Sequence, residues 1–208
     1  MTWAEFITQI SSAPEVTLVG PLLDKPHSPL GPTVYVDGGS RFRSADRTHV
    51  FPSVSVGDGD SSTSALDVML PAAKDYSDLA FVLRELPPSV TRMELVGFLG
   101  GRQDHHLANL GEIYRCLSRR DQFTSLRMIK DNNAYILAFG RGQVLLTLHG
   151  AFSVFVLELA QIRISGECRY PLSLDTTLYP FSSHGLSNEG FGRVQIESVK
   201  PCFVCVNI

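Results

Sequence analysis

Four short polar clusters in the first half of the chain carry side chains that could do chemistry. Each cluster follows a predicted strand or opens a predicted helix, which is where open α/β sheets bind their ligands. In chain order the clusters are Asp37-Gly38-Gly39-Ser40, Gly57-Asp58-Gly59-Asp60-Ser61, Lys74-Asp75-Tyr76-Ser77-Asp78 and Gly100-Gly101-Arg102-Gln103-Asp104-His105.

Asp58 and Asp60 form the sharpest local pattern. Alternate residues of an extended segment project the same way, and two neighbouring carboxylates repel each other unless a cation lies between them. Oxygen ligands of this kind suit magnesium. Gly57 and Gly59 lack side-chain bulk, so a phosphate chain could approach the backbone and the metal together. The alternative is a polar turn after a strand, since Gly and Asp are favoured in turns.

Lys74-Asp75-Tyr76-Ser77-Asp78 brings a second pair of acids close behind the first, with Lys74 as a counter-charge for phosphate. Two acid pairs could together hold one or two metal ions. The same residues also fit a helix start, with Asp75 or Ser77 as N-cap and Asp78 in the first turn.

Gly100-Gly101-Arg102 precedes a predicted helix and could bind an anion through backbone N–H groups, the helix dipole and a guanidinium. An ordinary strand-to-helix turn has a similar sequence. His105 and His106 begin that helix, where paired histidines are more often capping or surface residues, and this interpretation is favoured for His106.

The elements that must position these clusters alternate between short apolar strands and amphipathic helices up to about residue 120. This pattern is typical of a layered α/β domain with a largely parallel sheet. The predicted strands are 16–19, 33–36, 53–56 and 93–98, and the predicted helices are 78–86 and about 104–118.

Beyond residue 123 the sequence consists of short β-rich runs with turn residues between them, typical of a small sandwich or barrel. Predicted strands include 126–129, 134–139, 144–148, 153–159 and 201–206, with a hairpin signal at Gly140-Arg141-Gly142. The sequence therefore predicts two domains, 1–123 and 124–208.

Composition limits the function further. The 208 residues carry a formal charge of -3 with scattered Lys and Arg, which disfavours a nucleic-acid partner. No apolar stretch approaches a membrane span and no basic-then-apolar start is present, so we expect no membrane association and a cytoplasmic protein. Cys202 and Cys205 have metal-like spacing, but a strand places them on opposite faces and a second ligand pair is lacking, which disfavours zinc.

Taken in order, the clusters resemble the signature of the thiamin pyrophosphokinase family: an Asp-Gly-Gly turn, Gly-Asp-x-Asp-Ser, Lys/Gln-Asp-x-Thr/Ser-Asp and Gly-Gly-Arg-x-Asp-His. The resemblance continues in the second half. Gly166-Glu167-Cys168-Arg169-Tyr170-Pro171-Leu172 is similar to the family's Gly-Leu-Lys-Tyr-Pro-Leu, and Ser187-Asn188-Glu189 is similar to its Ser-Asn-Glu turn. The similarity spans roughly residues 34 to 206.

The resemblance implies a Rossmann-like, layered α/β nucleotide-binding domain followed by an all-β sandwich, paired as a homodimer with active sites at the subunit interface. It implies that Asp58, Asp60 and Asp75 bind Mg²⁺, that ATP is the co-substrate, and that Ser187 and Asn188 contact thiamin. The remaining implied site residues, which line the catalytic, nucleotide and metal site, are Asp37, Gly38, Gly39, Lys74, Asp78, Arg102, Asp104 and His105.

The activity so implied is transfer of a diphosphate from ATP to the hydroxyl of thiamin, giving thiamin diphosphate and AMP. The sequence departs from the family in a short, Pro-rich segment between Leu18 and Tyr35, in a short span between Asp60 and Asp75, and in Cys168-Arg169.

Three alternatives stay open. They are a diphosphokinase for another small alcohol such as a pterin, a metal-dependent nucleotide-sugar transferase that uses Asp58-Gly59-Asp60, and a non-catalytic thiamin- or nucleotide-binding module.

Overall fold

The computed structural model describes residues 1–25, 30–43, 50–60, 65–131, 133–173 and 175–207. The chain forms two compact units, Met1–Glu112 and Ile113–Ile208. The division falls inside helix α3, Gln103–Ser118. The predicted domain boundary near residue 123 stays a prediction.

The first unit is built on a parallel sheet whose carboxyl ends carry the polar clusters. The strands lie in the order β5-β1-β2-β3-β4, so the chain steps from β1 towards β4 and then returns to place β5 on the other side of β1. The topological switch point is therefore between β1 and β5. The strands are β1 Glu15–Val19, β2 Thr33–Val36, β3 Ser53–Gly57, β4 Val68–Met69 and β5 Arg92–Val96.

Helix α1, Trp3–Gln9, was not predicted, although a capping box marks its start. The Thr2 hydroxyl accepts from Glu5 N at 3.2 Å, and the Glu5 carboxylate accepts from Thr2 N at 2.8 Å. Helix α2, Asp78–Glu85, agrees with the predicted helix. Its Ser77 N-cap accepts from Ala80 N at 3.1 Å, and its buried residues are Leu79, Ala80, Val82 and Leu83.

Asp67 joins the start of the chain to β3. Its carboxylate accepts from Ser55 N at 2.9 Å, forms an ion pair with Arg43, and lies 3.3 Å from the Met1 ammonium. Burial raises the pKa of Asp67, but the Ser55 hydrogen bond and the Arg43 charge outweigh it, so the pKa is below its usual value.

The second unit is an antiparallel sheet in the order β6-β7-β12-β8-β11-β9-β10. Side chains of one face, including Phe139, Phe152, Val154, Val194 and Val204, form its apolar core. The strands are β6 Ser125–Ile129, β7 Tyr135–Phe139, β8 Gly142–Val156, β9 Ala160–Cys168, β10 Thr177–Leu178, β11 Asn188–Ser198 and β12 Cys202–Val206.

Two details of the predicted second half are wrong. The runs 144–148 and 153–159 are not separate strands, because β8 is continuous and accommodates Gly150, with φ 109°, opposite Gly190 of β11. The hairpin at Gly140-Arg141-Gly142 is absent because β12 lies between β7 and β8.

This arrangement requires β8 to curl. Cys202 pairs with Phe139 on one side and with Val156 on the other, and Gly142 follows Phe139 by only three positions. Both ends of β8 therefore lie near Cys202, whereas a straight strand of this length would span about 45 Å.

The structure confirms the predicted mixed α/β class with a large proportion of sheet. Within the described ranges, no helix has the length and apolar character needed to cross a membrane. All four cysteines are free, and burial raises the pKa of Cys205 to about 11.

Candidate active site

Three carboxylates converge at the carboxyl ends of β2 and β3. Asp37 follows β2, and Asp58 and Asp60 follow β3, which is the neighbouring parallel strand. One oxygen from each side chain lies within 4.8 Å of the others. Asp37 and Asp58 are half-buried and Asp60 is exposed, so the group combines partial desolvation with access from solvent. Three oxygen donors at this spacing fit a hard divalent cation such as Mg²⁺.

The turn after β2 needs Gly39 because it packs against neighbouring backbone. Residues Asp37–Phe42 form a 3₁₀ turn, and Asp37 itself adopts a left-handed φ of 50°. A Cβ on Gly39 would lie 2.1 Å from the carbonyl oxygen of Val19. The close approach holds Asp37 at the sheet edge beside Asp58.

Lys74 supplies positive charge to this acidic group. Its side chain is only 7% exposed, and Nζ lies 2.7 Å from Asp58 Oδ2 and 3.0 Å from Asp78 Oδ1. The hydrogen bond from Lys74 lowers the pKa of Asp58, so this carboxylate is ionised at neutral pH. Burial raises the pKa of Asp78 despite the same lysine, and the negative charges of Asp58 and Asp37 add to the increase.

Asp75 is exposed and precedes the Ser77 N-cap of α2. Within the described ranges, the carboxylates that could share a cation are Asp37, Asp58 and Asp60, without Asp75. The third carboxylate of the group is thus Asp37, whereas Asp75 was the predicted third ligand beside Asp58 and Asp60. A metal-ligating role for Asp75 stays a prediction. Ser61 of the second cluster lies outside the described residues.

Arg102 and Asp104 form an exposed, two-point ion pair at the start of α3. Arg102 Nη2 lies 2.6 Å and Nε 3.2 Å from the two Asp104 oxygens, and Asp104 Oδ1 also accepts from His105 N at 2.9 Å. The paired Arg102 lowers the pKa of Asp104. The guanidinium is thus held at a helix N-terminus, a position suited to anions.

A pocket of about 130 Å³ lies at the switch point of the first unit's sheet. Its walls come from residues just after β1, from residues just after β5 and from the start of α3. The ends of strands beside a switch point are where open parallel sheets bind nucleotides. Sequence analysis predicted Arg102 and His105 here but missed the residues after β1. The lining residues are Pro21, Leu22, Gly97, Phe98, Gly100, Arg102, His105, His106 and Asn109.

Asn188 of the second unit is 4% exposed and holds the Tyr170 segment through its amide. Its Nδ2 donates to Tyr170 O at 2.7 Å, while Oδ1 accepts from Tyr170 N at 3.0 Å and from Glu189 N at 2.8 Å. Ser187 is exposed, has a left-handed φ of 57°, and donates its backbone N–H to Ser153 Oγ at 3.1 Å. Ser187 therefore presents its hydroxyl to solvent, whereas Asn188 is committed to structure.

Most of the predicted site residues thus fall into three groups. Asp37, Asp58, Asp60, Lys74 and Asp78 come together in the first unit. The Arg102, Asp104 and His105 group opens α3 beside the pocket, and the Ser187 and Asn188 turn belongs to the second unit.

No protein-family model and no curated protein sequence matches the chain. Several solved structures have a similar fold. A thiamine pyrophosphokinase from Bacillus subtilis is 23% identical with a TM-score of 0.67, covering 92% of this chain and 97% of that one. A thiamin pyrophosphokinase family protein from Enterococcus faecalis is 21% identical with a TM-score of 0.66, covering 93% and 99%.

A thiamin pyrophosphokinase from Candida albicans is 12% identical with a TM-score of 0.68, covering 99% of this chain and 92% of that one. These similarities extend over nearly the whole of each chain. They confirm, at the level of the fold, the resemblance to thiamin pyrophosphokinases predicted from the sequence.

Proposed function

We propose that this chain is a magnesium-dependent thiamin diphosphokinase, which transfers a diphosphate from ATP to the hydroxyl of thiamin. The observation that carries the proposal is the convergence of Asp37, Asp58 and Asp60 at the carboxyl ends of β2 and β3. In a chain with the fold of thiamin pyrophosphokinases, such a group supplies the oxygen ligands that a nucleotide-bound Mg²⁺ requires.

The nucleotide would bind to the first unit, which is proposed to be the Rossmann-like domain. The switch-point pocket supplies an apolar wall and the start of α3, where Arg102 and backbone N–H groups suit phosphate oxygens. Arg102 would exchange its ion pair with Asp104 for the phosphate, which is feasible because both side chains are exposed. Lys74, Gly38 and Gly39 complete the proposed ATP-binding residues.

In the proposed reaction, the thiamin hydroxyl oxygen forms a bond to the β-phosphorus of ATP. The bond from that phosphorus to the α,β-bridging oxygen breaks, and AMP leaves with the oxygen. Magnesium would neutralise phosphate charge during the transfer. Asp58 and Asp60, with Asp37 or Asp75, would hold it, while Arg102 would stabilise the phosphate oxygens as charge shifts onto the leaving group. Asp75 or Asp104 could accept the hydroxyl proton.

Thiamin would contact the second unit, proposed as a β-sandwich, at the Ser187-Asn188 turn. The exposed Ser187 hydroxyl is available to a ligand, whereas Asn188 would act by holding the turn in place. We further propose that the protein is a homodimer with its active sites at the subunit interface, which size-exclusion chromatography with light scattering would test.

The test is to incubate purified protein with ATP, Mg²⁺ and thiamin and to quantify AMP and thiamin diphosphate by chromatography. Equal amounts of both products are expected, and Asp58→Asn should abolish them. The variant excludes a contaminating kinase, because a contaminant would persist in both preparations.

Failure of the reaction has distinct outcomes. If thiamin binds without being converted, the chain is a binding module and the proposed activity is wrong. If thiamin does not bind, the acceptor is wrong, and a pterin alcohol is the next acceptor to assay.

A further inference from the structure

Lys74 contacts one of the three carboxylates of the candidate cation site. Its ammonium lies 2.7 Å from Asp58 Oδ2, and Asp58 is one of the three carboxylates that could share a metal ion. The lysine side chain is 7% exposed and the side chains of its partners Asp58 and Asp78 are 16% and 12% exposed, so the contact is shielded from water. Shielding strengthens the attraction, because charges interact more strongly at low effective dielectric.

A divalent cation and the ammonium therefore compete for the same carboxylate. Both are attracted to Asp58, and they repel each other if both remain close to it. At a separation of a few ångströms this repulsion is large enough to change cation affinity by an order of magnitude or more. The contacts with Lys74 neutralise charge on Asp58 and Asp78, which lowers the gain from binding a metal.

We infer that Lys74 holds Asp58 in the free protein and is released to the phosphates when a nucleoside triphosphate binds with its divalent cation. The inference rests on the proposed metal site and adds the order in which its charges are exchanged. Phosphate oxygens offer the ammonium an equivalent partner, so the nucleotide frees Asp58 for the cation. Cation and nucleotide then bind cooperatively, each raising the affinity of the other by the same factor.

The experiment measures Mn²⁺ binding directly, using electron paramagnetic resonance to quantify free Mn²⁺ without nucleotide. Lys74→Met should bind Mn²⁺ at least about tenfold more tightly than the wild type. Lys74→Arg keeps the charge and should stay within about threefold of the wild type. Lys200→Met is the matched control, because Lys200 forms an ion pair with Glu158 at 3.3 Å in the second unit, and its affinity for Mn²⁺ should be unchanged.

A second titration adds a non-hydrolysable ATP analogue. The analogue should raise the Mn²⁺ affinity of the wild type by more than about tenfold, and the increase should be much smaller in Lys74→Met. Equal or weaker Mn²⁺ binding by Lys74→Met without nucleotide, compared with the wild type, overturns the inference.

If Lys74→Met does not fold, Lys74→Gln removes the same positive charge and keeps a polar group beside Asp58 and Asp78. It should also bind Mn²⁺ more tightly than the wild type, and absence of that gain also overturns the inference. The product assay is independent of these titrations. A chain that shows the expected Mn²⁺ binding but forms no thiamin diphosphate refutes the proposed function and leaves the exchange at Lys74 intact.

Discussion

Replacing Asn188 by alanine should destabilise the protein by about 3 kcal/mol. The amide makes three hydrogen bonds, two to the backbone of Tyr170 and one from Glu189 N, and the side chain is 4% exposed. Each such bond contributes about 1 kcal/mol net, and a polar group left without a partner costs somewhat more. Tyr170 is exposed, so water can partly replace the lost hydrogen bonds. The expected loss of unfolding free energy is therefore smaller than the full cost of three unpaired polar groups.

The assay is urea unfolding followed by far-ultraviolet circular dichroism, with Ser187→Ala as control. Ser187 uses only its backbone N–H in its contact with Ser153, so loss of its hydroxyl should change the unfolding free energy by less than about 0.5 kcal/mol. Asn188→Asp keeps the acceptor but places an oxygen against the Tyr170 carbonyl, so it should also be destabilised.

The reasoning is refuted if Asn188→Ala unfolds with the wild-type free energy. In that case the hydrogen bonds to Tyr170 contribute nothing, and any loss of thiamin binding in the variant would come from direct contact with the substrate.

Asp67→Asn should be less stable than the wild type at pH 7. The folded-state pKa of Asp67 is lowered, so the stability that its carboxylate contributes is present above the ordinary pKa of 3.8 and is lost as the pH falls through the lowered pKa. The thermal melting temperatures of Asp67→Asn and the wild type should therefore converge in acid. Gly39→Ala should cost at least about 2 kcal/mol and weaken Mn²⁺ binding, because its Cβ would collide with the carbonyl of Val19. Thr2→Ala removes one half of a capping box and should lower the unfolding free energy by about 1 kcal/mol in urea titrations.

The sequence predicted most of the first unit because its elements are local and strongly patterned. Each of the four predicted strands lies within two residues of an observed one, and both predicted helices are present. Helix α1 was missed because it is short and buries chiefly Phe6, although Thr2 and Glu5 have capping-box spacing. The short strand β4 depends on pairing with β3 and has no pattern of its own.

The second unit was harder to predict because its pairing is non-local. Gly140-Arg141-Gly142 has the composition of a hairpin turn, but the strand that lies beside both β7 and β8 comes from residues 202–206. Turn chemistry reports local conformation and cannot reveal that a distant strand fills the gap.

The sequence also predicted which residues gather at the candidate site, but not which of them share a cation. Adjacent parallel strands bring Asp37 to Asp58 and Asp60, and this depends on sheet order. Asp75 has the same residue type and motif context, yet it lies exposed before α2. The role of Asn188 likewise depends on its hydrogen bonds to Tyr170, eighteen positions earlier.

The central place of β12 has a consequence for synthesis on the ribosome. The strand lies between β7 and β8, yet it is translated after every other strand of its unit. Until it emerges, the facing edges of those two strands lack their partner, and their backbone groups are available to other chains. The second unit therefore completes its sheet only after residues 202–206 leave the exit tunnel, and the nascent chain is vulnerable to aggregation until then.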